Sequence, residues 1–227
     1  MDTANILQEL VQLSSNLGRY GMDCVILDEG CVSAKIDDDH FYTKACGVPL
    51  SESSPESFVQ VGIPAFADLL DKVEPSQEDI CKCLSDARID KNGPYPSEDS
   101  VFHAYLLTLP GVSFVGHTHS AEVNVVLCSN GVSDMIGHNI LPLEALYCGG
   151  KPVFSLEGAS PNAVRSDVES FIDKEQSVPK AILMQNHGLI ALGPSAAEVE
   201  SMTAMWVKIM RILAGAYALS GVHSICK

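Results

Sequence analysis

Two apolar runs near the end of the chain, Lys180–Met184 and Leu189–Leu192, are separated only by Gln185-Asn186-His187-Gly188. So short a polar gap leaves room for a tight reversal and little else, which predicts a strand, a turn and a second strand. A helix-start signature follows in Pro194-Ser195-Ala196-Ala197-Glu198, with Ser195 at the cap and Glu198 three residues on. A long helix is expected from there to about Ser220. Its apolar stripe, Val199, Met202, Trp206, Ile209, Met210, Leu213 and Tyr217, suits a core or a subunit interface.

The rest of the chain has the same mixed character. Helical spacing of Ile6, Leu7, Leu10, Val11, Leu13 and Leu17 predicts a first helix over Thr3–Leu17. The short runs Cys24–Leu27, Cys31–Ile36 and Phe41–Lys44, divided by acidic turns, read as an antiparallel meander. Ser53-Ser54-Pro55-Glu56 has the form of a helix start, and a helical stretch is expected near Gln77–Ser85. A helix over Glu98–Leu109, a strand over Val112–His119 and a helix over Ala121–Leu127 complete the pattern. Strands followed by helices imply an α+β or a three-layer α/β/α domain. At 227 residues one domain, 1–227, is the expectation.

Charge excludes some functions. Fourteen Lys and Arg stand against 29 Asp and Glu, a net charge of −15. Such an excess of acid argues against a nucleic-acid partner and against binding to anionic membrane surfaces. No uninterrupted apolar run reaches the roughly 18 residues of a membrane span. The start, Met1-Asp2-Thr3-Ala4-Asn5, lacks the basic segment and following apolar run of a secretory signal, so a cytoplasmic protein is expected. With no C-x-x-C among eight cysteines, reduced thiols are expected rather than a zinc ribbon or a redox pair.

Three histidines stand out. His117-Thr118-His119 ends an apolar strand, and residues i and i+2 of a strand share a face, so both imidazoles can approach one ion. His187, in the turn of the late hairpin, is a third candidate at a second strand end. Three protein ligands with one open position is the pattern of catalytic zinc. Glu98 and Asp99 follow Pro96-Ser97 at a helix start, and His103 lies one turn beyond Asp99. Acids there also suit the helix dipole, with Ser97 as an N-cap.

The segments Gly116-His117-Thr118-His119-Ser120 and Gln185-Asn186-His187-Gly188-Leu189-Ile190-Ala191-Leu192-Gly193 resemble the class II aldolase/adducin family. So do Gly30-Cys31-Val32-Ser33, Lys44-Ala45-Cys46-Gly47-Val48, and Pro96-Ser97-Glu98-Asp99 with His103, in the same order and spacing. The resemblance implies a three-layer α/β/α sandwich around a mainly antiparallel sheet, assembled as a homotetramer with sites between subunits. It also implies Zn²⁺, or another divalent ion such as Co²⁺ or Mn²⁺, held by His117, His119 and His187. The implied reaction is retro-aldol cleavage of a small sugar-like or hydroxy-carbonyl substrate through a metal-stabilised enediolate, with a carboxylate moving the proton. Epimerase, dehydratase or decarboxylase chemistry on the same metal, or a non-catalytic adducin-like interaction module, are the alternatives.

The departures are informative. Where the family carries Ser-Ser-Glu, this chain has Ser97-Glu98-Asp99, so Asp99 aligns with the acid/base glutamate and Glu98 with a phosphate-binding serine, and the acid/base is Asp99 or, in its stead, Glu98. Cys31 stands where the family has Asn and Cys46 where it has a hydroxyl. With Gly30, Gly47 and Ser97 they would line the substrate pocket. A carboxylate beside a phosphate is repulsive, which points to a substrate without one, or to one that carries it differently. Lys44 would offset this if it faced the pocket, or would be a solvated strand-end lysine.

Overall fold

The structure is a computed structural model that describes residues 3–72, 74–132, 151–156 and 160–221. His138, His223, Cys148 and Cys226 lie outside them. Seven strands form one mixed sheet: β1 (Cys31–Lys35), β2 (His40–Lys44), β3 (Phe58–Gly62), β4 (Phe114–Thr118), β5 (Val153–Ser155), β6 (Ala181–Met184) and β7 (Gly188–Gly193). Their order is β3-β2-β1-β4-β7-β6-β5, antiparallel throughout except for the β5–β6 pair. The helices are α1 (Thr3–Leu17), α2 (Ala67–Leu70), α3 (Gln77–Ala87), α4 (Ser100–Leu106), α5 (Ala121–Leu127), α6 (Pro161–Glu175) and α7 (Ala196–Leu219).

Period-two alternation divides the core between the two faces of the sheet. Val32, Phe114, Leu183, Leu189 and Ala191 pack with α1, α5 and α7, whereas Val115, Ile182, Met184, Ile190 and Leu192 pack with α2, α4 and α6. Strands clad on both faces must be apolar on both, so β6 and β7 are fully buried rather than alternating. The three-layer α/β/α expectation therefore holds. By length and composition α7 is apolar enough to cross a bilayer. Here it is a core helix, with Val199, Met202, Trp206, Ile209, Met210 and Leu213 buried against the sheet and its neighbours.

The early meander is smaller than expected. Cys24–Leu27 is not a strand, because Asp23 and Leu27 adopt left-handed backbone angles (φ 48° and 54°) that turn the chain out of the sheet. Ser54 makes its capping box, but the helix stops after one turn at Ser57 and the chain enters β3. The strands β3 and β5 and the helix α6 carried no expectation. Among the described residues of α6 only Val164 and Val168 are buried, so its apolar signal is weak.

Candidate metal centre

The site forms where two strand ends meet. His117 lies in β4, opposite Cys31 of β1 and Ile190 of β7. His119 follows one residue past β4, and His187 occupies the turn between β6 and β7. The His117–His119, His119–His187 and His117–His187 ring centroids are 4.6, 4.6 and 5.0 Å apart. One nitrogen from each ring lies within 4.8 Å of the other two.

The turn's composition explains this convergence. Asn186 takes the left-handed conformation at φ 56°, which asparagine tolerates. Gly188 brings β7 against the end of β4: a Cβ there would lie well inside contact with the Thr118 carbonyl and 3.1 Å from His119 Cδ2. On the other side, Gly30 (φ 72°) lets the chain pass under β4, where a Cβ would come within 2.8 Å of the His117 carbonyl.

Nε2 of His117, His119 and His187 is in each case buried with no hydrogen-bond partner among the described residues. A buried ring nitrogen without a partner is costly, and these three, unlike the lone Nε2 of His103, converge as the ligands of a cation do. The second nitrogens support the same reading. His117 Nδ1 lies 2.9 Å from Asp99 Oδ2. An ionised carboxylate can only accept, so Nδ1 carries the proton and Nε2 is left with a lone pair for an ion. Burial pushes the Asp99 carboxyl up, but the electrostatic pull of the His117 ring and its Nδ1–H hydrogen bond, with His103 and His119 nearby, hold it well below the usual range. Burial, reinforced by the neighbouring imidazoles, pushes His187 down to about 4 and lowers His119 as well. Neutral imidazoles are the form that ligates.

Beneath Asp99 lies a buried polar cluster joining β1, β2 and α4. Ser33 Oγ donates to Thr43 Oγ1 at 3.0 Å, and Thr43 Oγ1 lies 3.0 Å from Ser100 Oγ and 3.4 Å from Cys31 Sγ. His103 Nδ1 is 2.7 Å from Ser33 Oγ. Since the single Ser33 proton goes to Thr43, His103 donates and is neutral. Burial holds its pKa down at about 3, with the nearby Asp99 charge opposing. The cluster holds the first turn of α4, and hence Asp99, against the sheet.

The remaining expected site residues are placed as follows. Cys31 is fully buried in this cluster, its thiol pushed up to about 11 chiefly by burial. Ala45 pairs with Pro96, the Cys46 N–H donates to the Tyr95 carbonyl, and the Ser97 N–H donates to the Lys44 carbonyl, so Cys46, Gly47 and Ser97 lie side by side. Two backbone donors of this loop pair are thus engaged internally. Glu98 is exposed and accepts from Gln77 Nε2 at 2.6 Å, facing α3. Lys44 is neither a solvated nor a pocket-facing lysine: buried at 1% exposure, its Nζ donates to the Asp28 and Val48 carbonyls, each at 2.7 Å. It staples the loop before Gly30 to the loop after Gly47.

Two residues near the triad carried no expectation. Asn124 of α5 donates from Nδ2 to the His119 carbonyl at 3.3 Å and to the His187 carbonyl at 3.1 Å, tying the two strand ends together. A polar residue inside the apolar helix Ala121–Leu127 was the available signal. Asn124→Ala is expected to weaken divalent-ion affinity about tenfold, the lower end of the usual effect of supporting residues. Competition against a chromogenic chelator checks this. The second residue, Glu29, places Oε1 3.7 Å from His119 Nδ1 and is 40% exposed, with no motif around it to mark it.

Comparison with known proteins agrees with this architecture. No curated protein sequence matches the chain. Among solved structures, the N-terminal class II aldolase domain of a conserved Thermoplasma acidophilum protein superposes with a TM-score of 0.70 at 19% identity, covering 93% of this chain and 94% of that one. YgbL of Klebsiella pneumoniae, a candidate aldolase/epimerase/decarboxylase, gives 0.71 at 18% identity over 99% and 94%. The L-fuculose-1-phosphate aldolase of Thermus thermophilus gives 0.63 at 16% identity over 97% and 99%. At such identities the likeness is one of fold. The family model of the class II aldolase and adducin N-terminal domain matches residues 8–214, nearly the whole chain, and the protein belongs to that family.

Proposed function

We propose that the protein is a divalent-metal-dependent aldehyde-lyase that cleaves a small, unphosphorylated hydroxy-carbonyl substrate. One observation carries the reading: three buried Nε2 atoms converge without hydrogen-bond partners among the described residues, and one of the three rings is oriented by a carboxylate. A non-catalytic interaction module has no use for such an arrangement. His117, His119 and His187 would hold the ion, which supplies Lewis acidity toward a carbonyl oxygen when bound. Asp99 keeps the Nδ1 proton on His117 and fixes its ring. We assign the substrate hydroxyl proton to Glu29, 40% exposed beside His119, rather than to Asp99, which is engaged by His117, or to Glu98, which faces α3. The carbon–carbon bond then breaks, the aldehyde leaves, and its electron pair stays on the carbonyl fragment, which is reprotonated at carbon. Epimerisation shares the bond-breaking step and is the second reading, favoured only by the chemistry named for YgbL. We further propose a homotetramer with the site at a subunit boundary and a cytoplasmic setting.

Turnover of phosphorylated and unphosphorylated hydroxy-carbonyl compounds with Zn²⁺, Co²⁺ or Mn²⁺ tests the proposal. Cleavage of an unphosphorylated compound supports it, and a strict requirement for phosphate contradicts it. Two variants separate the carboxylates. Asp99→Asn should weaken metal affinity 10- to 100-fold, as outer-shell losses usually do. Glu29→Gln should weaken metal affinity less than Asp99→Asn does, its contact with His119 being longer at 3.7 Å, and should lower turnover by about 100-fold or more.

A further inference from the structure

A cleft of about 410 Å³ opens beside the triad, with His119 and Glu29 in its wall. Its apolar lining comes from Tyr20, Val25, Ile26, Leu27 and Leu50. Ile26 and Leu27 are 67% and 76% exposed. Side chains of this kind are ordinarily withdrawn from water, yet here the backbone turns them outward, with Asp23 and Leu27 both in left-handed conformations. Strained non-glycine residues of this sort gather at ligand sites.

The charges of the cleft are as telling. Among the described residues that line it, Arg19 is the one arginine or lysine, set against Asp23 and Glu29. Lys44 adds no second cation, since its ammonium is committed to the Asp28 and Val48 carbonyls. A dianionic group would meet an excess of carboxylate there, whereas an uncharged aliphatic group would meet complementary surface.

We propose that this cleft is the specificity subsite of the enzyme, and that it receives an uncharged, largely apolar group carried on the metal-chelating part of the substrate. This rests on the metal-dependent reading above and names the substrate class it serves: hydroxy-carbonyl compounds with an aliphatic tail. Ile26 and Leu27 contact that tail, and Glu29 marks the junction with the chelating end.

Binding of hydroxamates tests this, because a hydroxamate chelates a divalent ion as a hydroxy-carbonyl does and needs no turnover. Zn²⁺-loaded protein is titrated calorimetrically with acetohydroxamate, 4-methylpentanohydroxamate and phosphonoacetohydroxamate. The branched aliphatic probe should bind about tenfold more tightly than acetohydroxamate, as expected for partial burial of its extra carbons, and the phosphonate several-fold more weakly. The double variant Ile26→Ser/Leu27→Asn, in which Asn suits the left-handed position, should abolish the aliphatic advantage and leave the acetohydroxamate constant unchanged. Equal affinities for all three probes, or tightest binding by the phosphonate, overturn the cleft assignment and leave the metal reading standing. Failure of every probe to bind overturns both. If the double variant instead changes sedimentation from oligomer to monomer while probe preference is unaltered, the patch is a contact between copies of the chain and the proposal fails.

Discussion

Replacing Gly188 with alanine is expected to lower stability by about 3 kcal/mol or more and to abolish tight metal binding. The new Cβ would overlap the Thr118 carbonyl and press on the His119 ring at 3.1 Å from Cδ2. Both neighbours are constrained: Thr118 is paired with Leu189 in the sheet, and His119 donates its backbone N–H to the Cys24 carbonyl. The end of β7 must therefore move away from β4, carrying His187 from the other two rings. A loss of that size corresponds to roughly 6–12 °C in Tm for a chain of this length. Gly215→Ala is the control, since a Cβ in that part of α7 meets nothing within 4 Å. Alanine in a helix interior is intrinsically favoured over glycine, so this variant should be neutral or slightly stabilised. Thermal melts and chelator competition on the two proteins, side by side, check the prediction. Wild-type behaviour of Gly188→Ala would mean that the two strand ends do not approach as described.

Acid should destabilise the metal-free fold, with His103 a main contributor. Its pKa is held down at about 3 by burial, against an ordinary value near 6.5 in the unfolded chain. Between those values the unfolded chain binds a proton that the folded chain refuses. Stability is therefore fully present above about pH 6.5 and falls as pH drops toward 3. The loss is on the order of 5 kcal/mol over the whole interval, at 1.36 kcal/mol per pKa unit. His119 and His187, also depressed, act in the same direction. His103→Asn, which can still present an amide to Ser33 but does not titrate, should make the pH dependence shallower by about one proton. Urea unfolding of the metal-free protein between pH 4 and 8 measures the slope. An unchanged slope in the variant would place the acid sensitivity elsewhere.

Much of the scaffold was legible because period and punctuation agree. The β6–β7 hairpin, α1, α5 and α7 were read from apolar spacing and caps, and the histidine triad from strand parity plus a turn. What escaped depended on contacts distant in the chain or on weak signals. The His117–Asp99 bond spans 18 residues and joins a strand to a helix start. Lys44 was read as facing solvent or pocket because sequence does not show that two loop carbonyls wait at the end of its side chain. Cys24–Leu27 has strand composition, but the left-handed angles at Asp23 and Leu27 expel it from the sheet. In Ser54 a sound helix cap led only to a single turn, because Phe58–Gly62 finds an edge of β2 to pair with.

Metal stoichiometry tests the account most directly. The purified protein is loaded with Zn²⁺, freed of excess by gel filtration and assayed by atomic spectrometry, beside His117→Ala, His119→Ala and His187→Ala prepared identically. The account predicts about one ion per chain in the wild-type protein and less than about a tenth of that in each variant, with circular dichroism unchanged. Wild-type protein that retains no ion, or three variants that retain as much as the wild type, would contradict it.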